Sequence, residues 1–114
     1  MLSAALDGAP SAATLTEVVS RIVGAVHPRR ILVFGSAARG EMGPHSDLDL
    51  LVIMEDGVHR GNVQRQAYRS LAGLGLPKDV LVVTEADVDL YGGNPSLVLC
   101  AALREGREIY RVAS

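Results

Sequence analysis

Two aspartates stand one residue apart at the start of an apolar run, in the order Asp47-Leu48-Asp49-Leu50. In a β-strand, side chains two residues apart point to the same face, so Asp47 and Asp49 would share one side of a sheet, with their Cα atoms about 6.5 to 7 Å apart. Negative charges at that distance repel each other unless a positive charge lies between them. Mg²⁺, which prefers oxygen ligands, or the guanidinium of Arg39 would supply it. In a simpler interpretation, Asp47 caps the preceding loop and Asp49 bonds backbone amides.

A loop of small residues precedes the two aspartates. Gly35 and Ser36 follow the apolar run 31–34, and ten residues separate Ser36 from Asp47. Glycine permits backbone conformations that other residues avoid, and a serine hydroxyl and amide at the start of a turn are suited to binding a phosphate. A tight turn between a strand and a helix would explain Gly35 equally well, so the loop alone leaves both interpretations open.

A third carboxylate, Asp79, opens the apolar run 80–83 as Asp47 and Asp49 open theirs. If the two strands are neighbours, the three carboxylates meet at one edge of a sheet. Like charges a few ångströms apart resist simultaneous ionisation, so such a cluster favours bound metal. Two ions about 3.5 to 4 Å apart would resolve the repulsion. We therefore expect Asp47, Asp49 and Asp79 to form a site for two Mg²⁺ ions.

The hydrophobic pattern indicates which elements position these residues. Apolar residues at spacings of three and four predict a helix that Thr14 or Thr16 caps and that Pro28 ends. The other predicted elements are strands at 31–34, 47–54, 77–83 and 108–112, a helix at 59–73, a capped turn at Thr84 and Asp87, and a helix that starts at Asn94-Pro95 and ends at Glu105. This order predicts an α/β (α+β) fold, a small mixed β-sheet packed with helices.

Length and composition limit the possible functions. The 114 residues suffice for one domain, which we expect at 14–114 after a flexible N-terminal tail at 1–13. A net charge of -2, no Trp and one Phe argue against base stacking and direct DNA binding. The single cysteine excludes an internal disulfide and a cysteine-rich zinc site. No targeting peptide or apolar run of membrane-spanning length is present, so we expect a cytoplasmic protein without membrane contact.

The combined motifs resemble a known superfamily. Gly35-Ser36, ten intervening residues, Asp47-x-Asp49 and a third acid at a strand start, Asp79, are similar to the signature of the DNA polymerase β-like nucleotidyltransferases. The longer pattern GSxARGxxxxxSDxDLxV, in a chain of this length, is similar to the minimal nucleotidyltransferase (MNT) family. The resemblance covers about residues 15–112 and implies the polymerase β-like nucleotidyltransferase fold.

The resemblance also implies a role for each matching residue. Gly35 and Ser36 would hold the triphosphate of ATP, and Asp47 and Asp49 would bind both metal ions. Asp79 would bind the catalytic ion and help to deprotonate the attacking hydroxyl. The implied reaction transfers AMP from ATP to a hydroxyl and releases pyrophosphate, and the choice of ATP rests on the resemblance alone.

Several other polar residues leave alternatives open. Arg39 is expected to bind nucleotide phosphate or to pair with Glu41 or one of the acids. His45 lies two residues before Asp47, but a histidine in a Gly-Pro loop is typically solvated and Mg²⁺ prefers oxygen. The tyrosine hydroxyls are possible nucleotide acceptors, although rings that cap the core are the simpler interpretation; they belong to Tyr68, Tyr91 and Tyr110.

The expected partner also follows from the resemblance. MNT proteins are typically paired, as antitoxins, with a HEPN protein, a small all-helical ribonuclease toxin. The resemblance implies that this chain is the antitoxin, forms a hetero-oligomer with its HEPN partner and transfers AMP to a tyrosine near the HEPN active site. In a second interpretation the chain is catalytically silent and neutralises HEPN by binding. In a third, the acceptor is a small molecule such as an aminoglycoside, which is less favoured because no acceptor domain is visible.

Overall fold

The computed structural model describes residues 10–43 and 46–113, and in these ranges the chain forms five helices and four strands. The helices are α1 (Ala12–Val26), α2 (Ser36–Arg39), α3 (Arg60–Ser70), α4 (Glu85–Tyr91) and α5 (Val98–Glu105). The strands are β1 (Arg30–Phe34), β2 (Leu48–Met54), β3 (Lys78–Thr84) and β4 (Arg107–Arg111). Within the described ranges, no helix is both long and apolar enough to cross a bilayer.

The strands form one mixed sheet in the order β3-β2-β1-β4, which confirms the predicted fold class. β1 pairs antiparallel with β2 and with β4, whereas β2 and β3 run parallel. The central position of β1 and β2 explains their apolar sequences, because both faces of these strands are covered. The parallel pair requires a crossover, which α3 provides, and the first residues of β2 and β3 therefore lie at the same end of the sheet.

Alternate residues of β1, β2 and β3 enter two separate hydrophobic cores. Leu50 and Val52 of β2 belong to the larger core, which lies under α1 and α3. Leu51 and Ile53 point to the opposite face and pack in a smaller core against α5. The period of two therefore places Asp49 on the same face as the smaller core.

The first helix begins earlier than the sequence pattern suggested. Ser11 is its N-cap, and the Ser11 hydroxyl accepts a hydrogen bond of 3.1 Å from the N–H of Thr14. The prediction that Thr14 or Thr16 caps the helix is therefore wrong. Thr14 is buried inside the first turn, where its hydroxyl lies 2.8 Å from that of Ser11. The predicted tail lies largely at 1–9, outside the described residues.

Two elements after β3 differ from their predictions. Thr84 and Asp87 form the capping box of a complete helix, α4, in which each side chain accepts a hydrogen bond from the backbone N–H of the other. The predicted helix start at Asn94-Pro95 is wrong, because α5 begins at Val98. The Asn94 side chain instead accepts a hydrogen bond of 3.0 Å from the N–H of Ser96. Asparagine forms such turns as readily as it caps helices, and the local sequence does not distinguish the two.

Candidate active site

The register of β2 and β3 places Asp49 directly opposite Asp79. On the other side of Asp49, the last residue of β1, Phe34, is its partner. Asp47 immediately precedes β2. Asp47 and Asp79 are exposed to solvent, whereas Asp49 is half-buried. The expectation that the two strands are neighbours is confirmed, and the three carboxylates lie at one corner of the sheet.

Asp49 lies in an unfavourable environment for a negative charge. Burial raises the pKa of its carboxyl, the charges of Asp79 and then Asp47 raise it further, and Arg39 acts in the opposite direction. The charges of Asp79 and Asp47 are thus close enough to affect the ionisation of Asp49. A cation bound here would lower the free energy of the ionised cluster, because it would offset this repulsion.

Gly35 brings the backbone of the motif loop against this cluster. Its backbone has φ +67° and ψ −144°, a conformation that is available essentially only to glycine. A Cβ atom at this position would collide with the Asp49 carboxylate. Gly35 is therefore required for two reasons, its backbone angles and the space that Asp49 occupies.

Ser36 starts the short helix α2 directly after Gly35 and is half-buried. The Gly35 carbonyl accepts hydrogen bonds from the N–H groups of Ala38 and Arg39 and closes this turn. The loop returns toward β2 through Met42, which is buried in the larger core. These contacts hold the loop after Ser36 in a fixed position against the sheet.

Ser46 is a structural residue of the motif that sequence reasoning did not single out. Its hydroxyl accepts a hydrogen bond of 2.9 Å from the N–H of Gly43, and its own N–H donates to the Gly43 carbonyl. His45, which the sequence left open as a possible ligand, lies outside the described residues. Ser46 thus closes the loop directly before Asp47.

Arg39 pairs with glutamates. Its Nε lies 2.7 Å from Glu41, and one of its terminal nitrogens lies 3.3 Å from Glu105 of α5. The hydrogen bond to Glu41 is the main cause of the raised pKa of the guanidinium. The pairing with Glu41 that the sequence left open is therefore present. Contact of Arg39 with a phosphate stays a prediction.

A cleft of about 330 Å³ opens beside the carboxylates. It lies on the face of the sheet that α5 covers only partly. Asp49 and Asp79 form its acidic wall, and the remaining wall is apolar, with side chains from β1, β3 and the start of α5. Such a site combines charged groups with an apolar surface on which a planar ligand could lie.

Tyr68 of α3 is a further residue of the site. Its hydroxyl donates a hydrogen bond of 3.1 Å to Oδ1 of Asp79 and accepts one of 2.9 Å from the N–H of Val80. Its ring packs on the larger core, as the simpler interpretation of the tyrosines expected. The helical pattern predicted the position of the ring, but the contact with Asp79 depends on the tertiary packing of α3 on β3.

The donor set suits Mg²⁺, because all three predicted ligands offer carboxylate oxygens. In the described ranges, however, no group of three or more His, Cys, Asp or Glu side chains is placed so that it could hold a metal ion. Metal binding by Asp47, Asp49 and Asp79 therefore stays a prediction.

Comparison with known proteins relates this geometry to a family. The model of the family described as "Nucleotidyltransferase domain" matches residues 13–110. No curated protein is similar enough in sequence to match.

Solved structures share the fold at low sequence identity. The crystal structure of a toxin-antitoxin with AMP-PNP has a TM-score of 0.61 at 17% identity, with 86% of this chain and 73% of that chain covered. That of a proposed nucleotidyltransferase from Sulfolobus solfataricus has a TM-score of 0.58 at 18% identity, covering 85% and 78%. That of a toxin-antitoxin MntA-HpeT mutant has a TM-score of 0.60 at 16% identity, covering 86% and 73%.

Proposed function

This chain belongs to the nucleotidyltransferase domain family, and on that premise we propose that it transfers AMP from ATP to a hydroxyl group with the help of Mg²⁺. Its fold is the polymerase β-like nucleotidyltransferase fold that the motifs predicted. The resemblance of Gly35-Ser36 and Asp47-x-Asp49 to nucleotidyltransferase motifs is thereby confirmed at the level of the family. The nucleotide, the metal and the acceptor are parts of the proposal.

One observation carries this proposal: the motif loop touches the Asp49 carboxylate. The Gly35 backbone lies so close to the Asp49 carboxylate that no side chain fits between them, and Asp49 lies opposite Asp79. A phosphate held at Gly35 and Ser36 would therefore lie beside the acidic cluster. A triphosphate carries several negative charges, so this arrangement favours binding only together with cations.

The loop residues and the three aspartates have different roles in the proposed reaction. Gly35 and Ser36 would hold the triphosphate, and Asp47, Asp49 and Asp79 would hold two Mg²⁺ ions, which would supply neutralisation of charge and activation of the acceptor hydroxyl. The acceptor oxygen forms a bond to the α-phosphorus, and the bond from that phosphorus to the bridging oxygen of pyrophosphate breaks. Asp79, which is exposed, takes up the acceptor proton and passes it to solvent. The chain contributes position and charge, and no covalent intermediate is needed.

The acceptor that we propose is a tyrosine of a HEPN ribonuclease toxin, with this chain as its MNT antitoxin in a hetero-oligomer. Two structures that share the fold are toxin-antitoxin complexes, one of them with AMP-PNP. The MntA-HpeT mutant carries Asp-to-Glu replacements at two positions that are two residues apart, the same spacing as Asp47 and Asp49. These facts support the proposal through likeness of fold and of motif spacing.

A labelling experiment tests the proposal. The chain is incubated with Mg²⁺, ATP labelled at the α-phosphate and a HEPN protein encoded beside it. We expect label on the HEPN protein, located by mass spectrometry on a tyrosine, and no transfer from ATP labelled at the γ-phosphate. Replacing both Asp47 and Asp49 by alanine should abolish labelling. Glu55→Gln is the matched control, because Glu55 is an exposed acid just beyond the far end of β2.

Each alternative function predicts a different result. If the double alanine variant still neutralises the toxin as well as wild type, the chain acts by binding alone. If kanamycin is labelled and the HEPN protein is not, the acceptor is a small molecule. Labelling that survives the loss of both aspartates would refute the assignment of the site.

A further inference from the structure

The hydrogen bonds of Val80 show how α3 is fastened to the sheet. β3 is an edge strand, so one side of its backbone has no strand partner within residues 10–43 and 46–113. On that side the Val80 N–H donates to the Tyr68 hydroxyl at 2.9 Å, and the Val80 carbonyl accepts from Nε2 of Gln64 at 2.9 Å. Gln64 and Tyr68 lie one helical turn apart, on the same face of α3. The two side chains together satisfy the exposed backbone of β3 directly after Asp79.

The direction of the Tyr68 hydroxyl proton follows from these bonds. A phenol has one proton to donate and accepts through its oxygen lone pairs. Because the Val80 N–H already points at the oxygen, the proton of Tyr68 is directed to its other neighbour, Oδ1 of Asp79, at 3.1 Å.

Tyr68 and Asp79 differ in their freedom to move. The Tyr68 ring packs against the larger core, whereas Asp79 is exposed at the start of an edge strand. An exposed aspartate without a partner would populate several side-chain rotamers. The hydrogen bond from a packed ring restricts Asp79 to one of them and leaves its second oxygen, Oδ2, for other ligands.

We propose that Tyr68 is a positioning residue, which holds the Asp79 carboxylate in the orientation needed to bind a divalent cation. The inference rests on the proposed function, since it assigns a role to a neighbour of a proposed metal ligand. Tyr68 touches neither nucleotide nor acceptor in this scheme and acts through Asp79. Hydrogen-bond partners of metal ligands commonly contribute about 10- to 100-fold to metal affinity or activity.

The test compares Tyr68→Phe with Gln64→Leu. The first variant keeps the packed ring and removes the bond to Asp79 as well as one backbone bond of Val80. The second removes only the other backbone bond of Val80. The pair therefore separates an effect on Asp79 from a general loosening of α3 on β3, and thermal unfolding of both variants checks that each is folded.

The primary measurement is Mn²⁺ binding, followed by electron paramagnetic resonance, in the presence of an ATP analogue with a methylene group between the α and β phosphorus atoms. We expect Tyr68→Phe to weaken Mn²⁺ binding about tenfold or more, and Gln64→Leu to leave it within about twofold of wild type. In the transfer assay, kcat of Tyr68→Phe should fall while KM for ATP stays within about twofold.

Two results would overturn the inference. Wild-type Mn²⁺ affinity in Tyr68→Phe would show that Asp79 needs no support from the hydroxyl. Equal losses in Tyr68→Phe and Gln64→Leu would assign the effect to packing of the edge strand. Both results are obtained without AMP transfer, so they stand even if the wild-type chain proves to have another activity.

Discussion

At the scale of single residues, Asp49 is the side chain on which the site depends most. The backbone of Gly35 touches its carboxylate, Asp79 lies opposite it on one strand and Phe34 on the other. Its position is therefore fixed by two neighbouring strands and one loop. The negative charges of Asp79 and Asp47 disfavour ionisation of its carboxyl. We therefore expect a change in the shape of its surroundings to affect mainly activity, and the removal of its charge to affect the stability of the fold.

The change of shape is tested by Gly35→Ala. The new methyl group would collide with Asp49 and would hold alanine in a backbone region that costs about 1 to 3 kcal/mol. We expect the loop to move away from the carboxylates, and AMP transfer to fall by about 100-fold, because a misplacement of about 1 Å is enough for such a loss. Steady-state kinetics and thermal unfolding measure the two effects.

Gly40→Ala is the matched control for backbone strain. Gly40 also has a positive φ, +69°, but a Cβ atom there would meet nothing within 4 Å. This variant should lose about 1 kcal/mol of stability, as for other left-handed helix ends, and keep most of its activity. If both variants lost activity equally, the contact of Gly35 with Asp49 would not be the cause.

The change of charge is tested by Asp49→Asn in the presence of EDTA. A carboxyl whose pKa is raised by folding opposes folding once it is ionised, so its penalty is absent at low pH and develops as pH rises above the ordinary value of 3.8 and through the raised pKa. We therefore expect the Asp49→Asn variant to melt at a higher temperature than wild type at pH 7.5, with a smaller gain at pH 4. A gain that is larger at pH 4 than at pH 7.5 would contradict the cause assigned to the shift.

At the scale of elements, the strands were predictable and the helix ends less so. β1, β2 and β3 are short apolar runs bounded by polar residues, and burial on both faces leaves such a run few alternatives. Helix starts depend on which of several serine, threonine or asparagine residues caps, and Ser11, Thr14 and Thr16 are all suitable locally. Packing decides among them, because the turn that Ser11 caps buries Thr14.

The cap of α1 gives a prediction of stability. Ser11→Ala removes the acceptor of the Thr14 N–H and should cost about 1 kcal/mol. Thr16→Ala, at the position that the sequence offered as an alternative cap, should be neutral or slightly stabilising, because Thr16 is exposed within the helix and alanine is the better helix former. Urea unfolding of both variants measures the difference, and equal costs would contradict the assignment of the cap.

The site was predictable to the extent that it depends on strand neighbours. The sequence placed Asp49 and Asp79 at the starts of two apolar runs, and their carboxylates meet because β2 and β3 pair in parallel. The bond from Tyr68 to Asp79 and the pairing of Arg39 with Glu105 depend on how α3 and α5 pack on the sheet. Those contacts arise from tertiary packing, and no local pattern in the sequence specifies them.

At the scale of the whole molecule, the two faces of the sheet have different roles. One face carries the larger core with α1 and α3, which supplies most of the buried apolar surface. The other carries the acidic corner and the cleft, under the partial cover of α5. The second face is therefore free to bind ligands, while the first maintains the fold.

This division predicts how ligands stabilise the whole domain. Nucleotide should stabilise the fold only in the presence of Mg²⁺, because the acidic corner repels a triphosphate, and the stabilisation should be greatest with both, because the triphosphate supplies the remaining ligands of the ions. At a concentration of the complex 100 times its dissociation constant, the gain would be about 2.7 kcal/mol, or a rise of about 10 °C in melting temperature for a domain of this size. The methylene ATP analogue in EDTA should give no rise, and Mg²⁺ alone a smaller one.

The variant with asparagine at both positions 47 and 49 is the control for this last prediction. It keeps the shape of the site, and without the two carboxylates the joint effect of nucleotide and Mg²⁺ should disappear. Glu55→Gln, which changes an acid at the far end of β2, should respond as wild type does. A rise with the nucleotide analogue in EDTA, or an undiminished rise in the double variant, would contradict the prediction, because it would show that the nucleotide binds without the metal ions that Asp47 and Asp49 are proposed to hold.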